Sequence, residues 1–273
     1  MRKCIFVLSI DTEEEWDWSG PFPQRQGDVQ NITYLPEFHN TVSHLGIRPT
    51  YFVDYAVLDT EDSVTSLQQI YQQGNCEIGA HMHPWCNPPY FDLVDEAKSH
   101  VVNLPIQQVE EKLKALVEKI ESTLDVCPKS FRSGRWGIDS KVMKLLIKHG
   151  FNLDSSVYPF YKNDYFSCIG APATPYWADI DNPLQSSTQH NMYELPVTVG
   201  FNQKNFNLAN KVHTLFADPK LSWTRFNGLA WHTNLLRKNY LCPELTSVPD
   251  MQNLCDSVIQ KGYSVLHMYM HSS

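Results

Sequence analysis

One unit recurs four times along this chain, and it admits few folds: an amphipathic helical stretch, a glycine, then a β-rich run that ends in polar residues. The instances are His44-Leu45-Gly46 into residues 49–53, Gln72-Gln73-Gly74 into 76–80, Lys148-His149-Gly150 into 151–153, and Gln260-Lys261-Gly262 into 263–270. Glycine tolerates the left-handed conformation just past a helix, so each triplet predicts a helix stop. Behind them apolar residues recur at helical spacing: Leu35, Phe38, Val42 and Leu45; Val64, Leu67, Ile70 and Tyr71; Val142, Leu145, Leu146 and His149; Met251, Leu254, Val258 and Ile259. A longer helix is expected over 106–124 after Pro105, and Asp139 or Ser140 is placed to cap the next one. Further strands fall at 4–10, 130–132 and 192–199, the last shortened by Pro196, which cannot donate to a ladder. Strands alternating with helices imply parallel pairing. The economical fold class is α/β, a distorted (β/α) barrel of about seven parallel strands, with 1–273 as a single domain. Residues 161–190 and 201–239 lack periodicity and read as loop or cap insertions.

At 273 residues and 42% hydrophobic composition, the chain can bury one large core. Lys+Arg 22 against Asp+Glu 30 gives a net charge of −8, with no basic run to track phosphates, so nucleic acid is not an expected partner. Seven cysteines (Cys4, Cys76, Cys86, Cys127, Cys168, Cys242, Cys255) are scattered without a CxxC pair, which fits a reducing, cytoplasmic setting. Met1-Arg2-Lys3 followed by 4–10 has the outline of a signal peptide, but Asp11 interrupts the apolar run and no small-residue cleavage site follows. No stretch approaches the roughly 20 apolar residues that span a bilayer, and no membrane partner is expected. The oligomeric state is left open.

The chemistry gathers at strand ends. The first apolar run terminates in Asp11-Thr12-Glu13-Glu14-Glu15, the third in His81-Met82-His83-Pro84-Trp85, and the last in His271. In parallel α/β architectures catalytic groups collect at the carboxyl ends of strands, so these termini are expected to share one site. Two histidines at i and i+2 on extended backbone point to the same side, so His81 and His83 can bind one divalent metal, zinc being the foremost candidate, with Glu13 as the third ligand. His267, four residues before His271, is expected to face the same side as His271. Cys86 beside His83 is a weaker candidate ligand. The aromatic residues Trp16, Trp18, Trp85, Tyr90, Trp136, Tyr158 and Trp177 lie near these motifs and suit the apolar faces of sugar rings.

Taken in order, strand-Asp-x-Glu, Glu77-Ile78-Gly79-Ala80-His81, Phe131-Arg132-Ser133-Gly134-Arg135-Trp136-Gly137, Asp154-Ser155-Ser156 and a last strand ending in His271 resemble the motif series of NodB-type polysaccharide deacetylases. Residues 80–85 and 131–137 look most like the WalW-type branch. The resemblance covers nearly the whole chain. It implies metal-assisted hydrolysis of an N-acyl, foremost N-acetyl, group on a carbohydrate or other small amide. Asp11 would then be the catalytic base, Glu13 and His81 metal ligands, Arg132 the arginine that orients the base, Asp154 the acid that partners the final histidine, and His271 the general acid. Trp16, Trp85, Arg135 and Trp136 are the expected substrate contacts.

The chain departs from the family where the second histidine usually stands four residues after the first, because Trp85 occupies that position. His83 must substitute, or the chain resembles the metal-independent amidases that act on cyclic ureides. A second departure is length: the sequence stops two residues after His271, where members of the family continue through a loop that helps wall the site. A glycoside hydrolase would use Glu14 or Glu15 with Glu194 and leave the histidines unemployed. A non-catalytic carbohydrate-binding relative would keep the aromatic residues and lose the base.

Overall fold

The computed structural model describes residues 4–17, 20–23 and 27–272; Trp18 lies outside them. Its strands are β1 (Ile5–Thr12), β2 (Thr50–Val53), β3 (Glu77–Met82), β4 (Ser130–Ser133), β5 (Leu153–Asp154), β6 (Tyr176–Trp177), β7 (Tyr193–Glu194), β8 (Val199–Phe201), β9 (Lys238–Tyr240) and β10 (Val265–His271). Eight form one curled sheet in the order β10-β1-β2-β3-β4-β5-β7-β6, while β8 and β9 pair separately. Every pair from β10 through β7 is parallel, and β6 adds an antiparallel edge. The result is a half-barrel of the (β/α) kind.

The four glycines that the sequence marks as helix stops all take positive φ: Gly46 at 76°, Gly74 at 73°, Gly150 at 82° and Gly262 at 87°. They end α1 (Leu35–His44), α3 (Glu61–Gln72), α5 (Ser140–Lys148) and α8 (Val248–Gln260). Between α1 and α3 lies the single turn α2 (Tyr55–Leu58), and α4 (Ile106–Leu124) is the long helix. Asp139 caps α5 by accepting from the N–H of Val142 at 2.8 Å. These helices bury their stripes on the sheet's outer face, where Leu8, Ile10, Ile78, Ala80, Met82 and Phe131 meet Leu67, Leu113, Leu116 and Leu146. No helix among the described residues is long and apolar enough to cross a membrane.

Pro196 has the expected effect, since β7 stops at Glu194. The gap between β7 and β10 is filled instead by residues 195–198. The N–H of Thr198 donates to the His267 carbonyl at 3.0 Å, and Thr198 Oγ1 accepts from the His267 N–H at 2.8 Å. The His267 ring adds a third tie, Nδ1 to the Pro196 carbonyl at 3.2 Å.

The segment 201–239, expected as a loop or cap, is largely helical. It carries α6 (Phe206–Ala217), α7 (Phe226–His232) and the start of β9, which pack with α8 around Phe201, Phe206, Leu241 and Leu254. The apolar arc of α6 is wide, with Leu208 and Leu215 more than half exposed, and only Asn207, Asn210, Lys211 and Thr214 form its polar side, so the stripe is hard to see in the sequence.

Side chains alternate across an extended strand, and this places the polar ones. On β1, Leu8 and Ile10 join the outer core while Ser9 and Asp11 point inward to Arg132. On β3, Ile78, Ala80 and Met82 go outward and His81 inward; on β10, His267 reaches Ser9 across the interior. Gly79 is small for a reason of space: a Cβ there would sit 2.6 Å from both the Phe52 ring and Ser130 Oγ.

Candidate active site and metal centre

Parallel pairing of β1 with β10 sets Asp11 directly opposite His271, 260 positions later. Arg132, with no exposed surface, donates from Nη1 to Asp11 Oδ1 at 2.5 Å. Its Nη2 reaches Ser9 Oγ at 2.8 Å and Ser155 Oγ at 2.9 Å, and its plane lies 4.4 Å over the Phe52 ring. Burial opposes charge on Asp11, but Arg132, with His81 and His271 behind it, outweighs burial and lowers the carboxyl's pKa. His271 Nε2 lies 3.9 Å from Asp11 Oδ2.

The carboxylate that holds His271 is Glu244, not Asp154. Glu244 Oε2 meets His271 Nδ1 at 2.5 Å and Oε1 accepts the His271 backbone N–H at 2.7 Å. Burial pulls the imidazole's pKa down, but the Glu244 hydrogen bond and the charges of Glu13 and Asp11 push it up to about 9. Asp154 faces the other way, because Ser155 takes the inward position beside Arg132 and its neighbour must point outward. There Asp154 accepts from Ser156 at 2.7 Å and hydrogen-bonds Glu194. Burial raises both carboxyls, and for Glu194 the Asp154 charge adds to it. Of the acids a glycoside hydrolase would use, Glu194 and Glu14 are buried, Glu14 against His83 and Trp85, while Glu15 stands exposed.

Glu13, His81 and His83 do come together, with one ligand atom from each within 4.8 Å of the others. His81 Nδ1 donates to the Arg132 carbonyl at 3.1 Å, and its Nε2 faces Glu13 Oε2 at 3.0 Å. His83 Nδ1 is turned to Glu14 at 3.0 Å, and its Nε2, buried without a hydrogen-bond partner, lies 3.3 Å from Glu13 Oε2. Two imidazole nitrogens and a carboxylate oxygen facing one point could hold a cation, and a carboxylate or carbonyl behind each imidazole is the usual support of a histidine ligand. The residues fit a divalent ion.

Trp85 is not a substrate platform. It has no exposed surface, stacks on the His83 ring at 4.2 Å and donates its indole N–H to Glu14 Oε1 at 2.5 Å. Trp16 is half-buried against Phe22 and Trp85, and Arg135 is tied to Glu96 at 2.7 Å. Trp136, half-buried, lies 5.2 Å from the Arg132 guanidinium and stacks on Tyr158. Tyr158 is buried with its hydroxyl on Tyr269, Tyr90 bonds the Cys86 carbonyl, and Trp177 stacks on His190 at the β6 edge.

Sequence reasoning missed Asp54 and Glu244. Asp54 follows the β2 run directly, the same strand-end position that singled out Asp11. Glu244 lies in a loop after β9, where no pattern marks it.

No family model matches the chain, and no curated protein matches it. Solved structures do. A putative polysaccharide deacetylase from Mycobacterium smegmatis superposes with a TM-score of 0.57 at 13% identity, over 99% of this chain and 77% of that one. The fold is that of the NodB-type deacetylases. A putative glycoside hydrolase/deacetylase from Parabacteroides distasonis follows at 0.50 and 13%, over 72% of this chain and 45% of that one. At such identities the likeness concerns the deacetylase fold, and the chemistry must be argued from the residues above.

Proposed function

We propose that this chain is a metal-assisted hydrolase that removes an N-acyl group, foremost acetyl, from a carbohydrate, and that residues 1–273 act as one deacetylase-like unit of the WalW-type branch. The observation that carries the reading is the orphaned His83 Nε2, aimed with His81 and Glu13 at one point beside an Arg132-held Asp11. A divalent ion at that point, zinc by its donor set, would polarise the acyl oxygen and acidify a bound water.

Asp11 is the group placed to take the proton from the attacking water, and Arg132 keeps it ionised and aligned. His271, protonated near neutrality and 30% exposed at its side chain, is the group placed to protonate the departing amine. Glu244 holds that imidazolium in the role the resemblance gave to Asp154. Trp136, half-buried beside Arg132 and stacked on Tyr158, is an expected aromatic contact that keeps some exposed surface for a sugar ring. The seven free cysteines suit a reducing, cytoplasmic setting.

The test is hydrolysis of acetylated amino-sugar oligomers by purified protein before chelation, after chelation and after zinc is restored. Activity should vanish with the metal and return with it. Undiminished turnover after complete metal removal would leave the metal-independent amidase as the better reading.

Gly134 offers a sharper probe of the same centre. A Cβ there would fall within the His83 ring, 2.6 Å from Nε2, and that ring is enclosed on all sides. Gly134→Ala should cost about 1–3 kcal/mol by overpacking. It should also weaken metal binding on the order of 10- to 100-fold, as displaced support groups do. Thermal unfolding and chelator competition measure the two, and unchanged metal affinity would separate His83 from the ion.

A further inference from the structure

Behind the first group of donors lies a second, made by Glu14, Asp54, His83 and Cys86, with one ligand atom from each within 4.8 Å of the others. None of the four is more than 1% exposed. Each carboxyl has one oxygen already fixed and the other turned inward. Trp85 holds Glu14 Oε1, leaving Oε2 3.0 Å from His83 Nδ1. The Val57 N–H holds Asp54 Oδ1 at 2.9 Å, while Oδ2, which takes the Glu14 N–H at a long 3.4 Å, stands 3.7 Å from His83 Nδ1 and 3.7 Å from Cys86 Sγ. Around a tetrahedral ion bonded at about 2.0–2.3 Å, neighbouring donors stand roughly 3.3–3.7 Å apart, so the four need only small adjustments.

Charge points the same way. Glu13, Glu14 and Asp54 are buried side by side, and in the described structure histidine, indole, thiol and backbone N–H groups answer their carboxyls, not lysine or arginine. For positive charge these three carboxyls face, among the described residues, only the imidazoles of His81 and His83, and burial beside Glu14 pushes the Asp54 carboxyl well up, the direction of an acid short of positive charge. One nitrogen, one sulfur and two oxygens suit a borderline ion better than calcium or magnesium, which take all-oxygen shells.

We infer that Glu14, Asp54, His83 and Cys86 form a further metal site, for a divalent ion of the zinc type, and that His83 can face two ions through its two ring nitrogens. The site stands apart from the proposed activity; only the bridging by His83 rests on that reading. Binding there releases the Cys86 thiol proton and the His83 Nδ1 proton to solvent as the metal–sulfur and metal–nitrogen bonds form. The ion would fix His83 and Glu14 rather than touch substrate.

The front group contains no sulfur, so cobalt(II) tells the two apart. The full chain, produced in zinc-free, cobalt-supplemented medium, should carry two cobalt ions and a near-ultraviolet thiolate-to-cobalt charge-transfer band. Cys86→Ser should retain one ion and lose the band, while His81→Ala, which touches only the front group, should keep the band. Circular dichroism checks that both variants fold. One ion without a thiolate band would overturn the site and leave the front centre standing; one ion with the band would support the site and count against the front centre. A band that survives Cys86→Ser would also overturn the assignment, and absence of any cobalt would overturn both.

Discussion

Asp11→Asn is expected to lower amide turnover by roughly 10²- to 10⁴-fold, the usual worth of a positioned general base. Asparagine fills the same space and still offers an oxygen to Arg132, but it can neither accept the water's proton nor neutralise the guanidinium. Arg132 has no exposed surface, and its described carboxylate partner is Asp11. Stability should therefore fall too, by less than the about 3–5 kcal/mol that follows outright removal of one partner of a buried pair. Activity has to be read well below the variant's Tm, with metal content measured alongside. Wild-type turnover by a folded, metal-loaded Asp11→Asn protein would remove Asp11 from the mechanism.

His271→Ala separates proton donation from binding. An amine is a poor leaving group until protonated, whereas an activated ester leaves unaided, so amide cleavage should drop by roughly 10²- to 10⁴-fold and ester cleavage far less. Equal losses on both substrates would make His271 a positioning group only. Glu244→Gln supplies the pH control. In the wild type the imidazole titrates at about 9, above its ordinary 6.5, and the amine-protonating form persists through neutrality. Losing the carboxylate should draw the alkaline limb of kcat/KM down toward the ordinary histidine value. The same linkage affects folding: the stability that His271 adds is complete below 6.5 and is lost as pH rises through about 9. Glu244→Gln should flatten stability across that window, which urea unfolding at several pH values would show.

Much of the scaffold was readable before any coordinates. Gly46, Gly74, Gly150 and Gly262 stop helices because only a residue without Cβ turns left-handed there at no cost, and that rule is local. Period-two alternation likewise carries His81 and His83 to one face without further information. What escaped the sequence depends on contacts made across space. Glu244 reaches His271 from a loop 27 residues upstream, and nothing local distinguishes it from any exposed acid. Asp154 was misplaced because a two-residue strand gives no pattern from which to tell its inner side from its outer. Trp85 resembles a sugar platform until its burial behind His83 is known. The helices of 201–239 escaped because their apolar arcs are wide, with Trp223, Leu229 and Trp231 left substantially exposed.

The pairing of Asp11 with His271 across β1 and β10 also sets when the centre can come into being. During synthesis at about 5–20 residues per second, the stretch between those partners takes on the order of 10–50 s to emerge. Throughout that interval β1 has only β2 beside it, and its other edge is an unpaired ladder on which Ile5 and Phe6 remain partly exposed even in the finished protein. Closing so long a loop delays the last strand further, since non-local pairing is the slow part of folding. A growing chain therefore holds Asp11, Arg132, Glu13, His81 and His83 well before it holds His271, and a nascent edge strand needs protection until β10 docks.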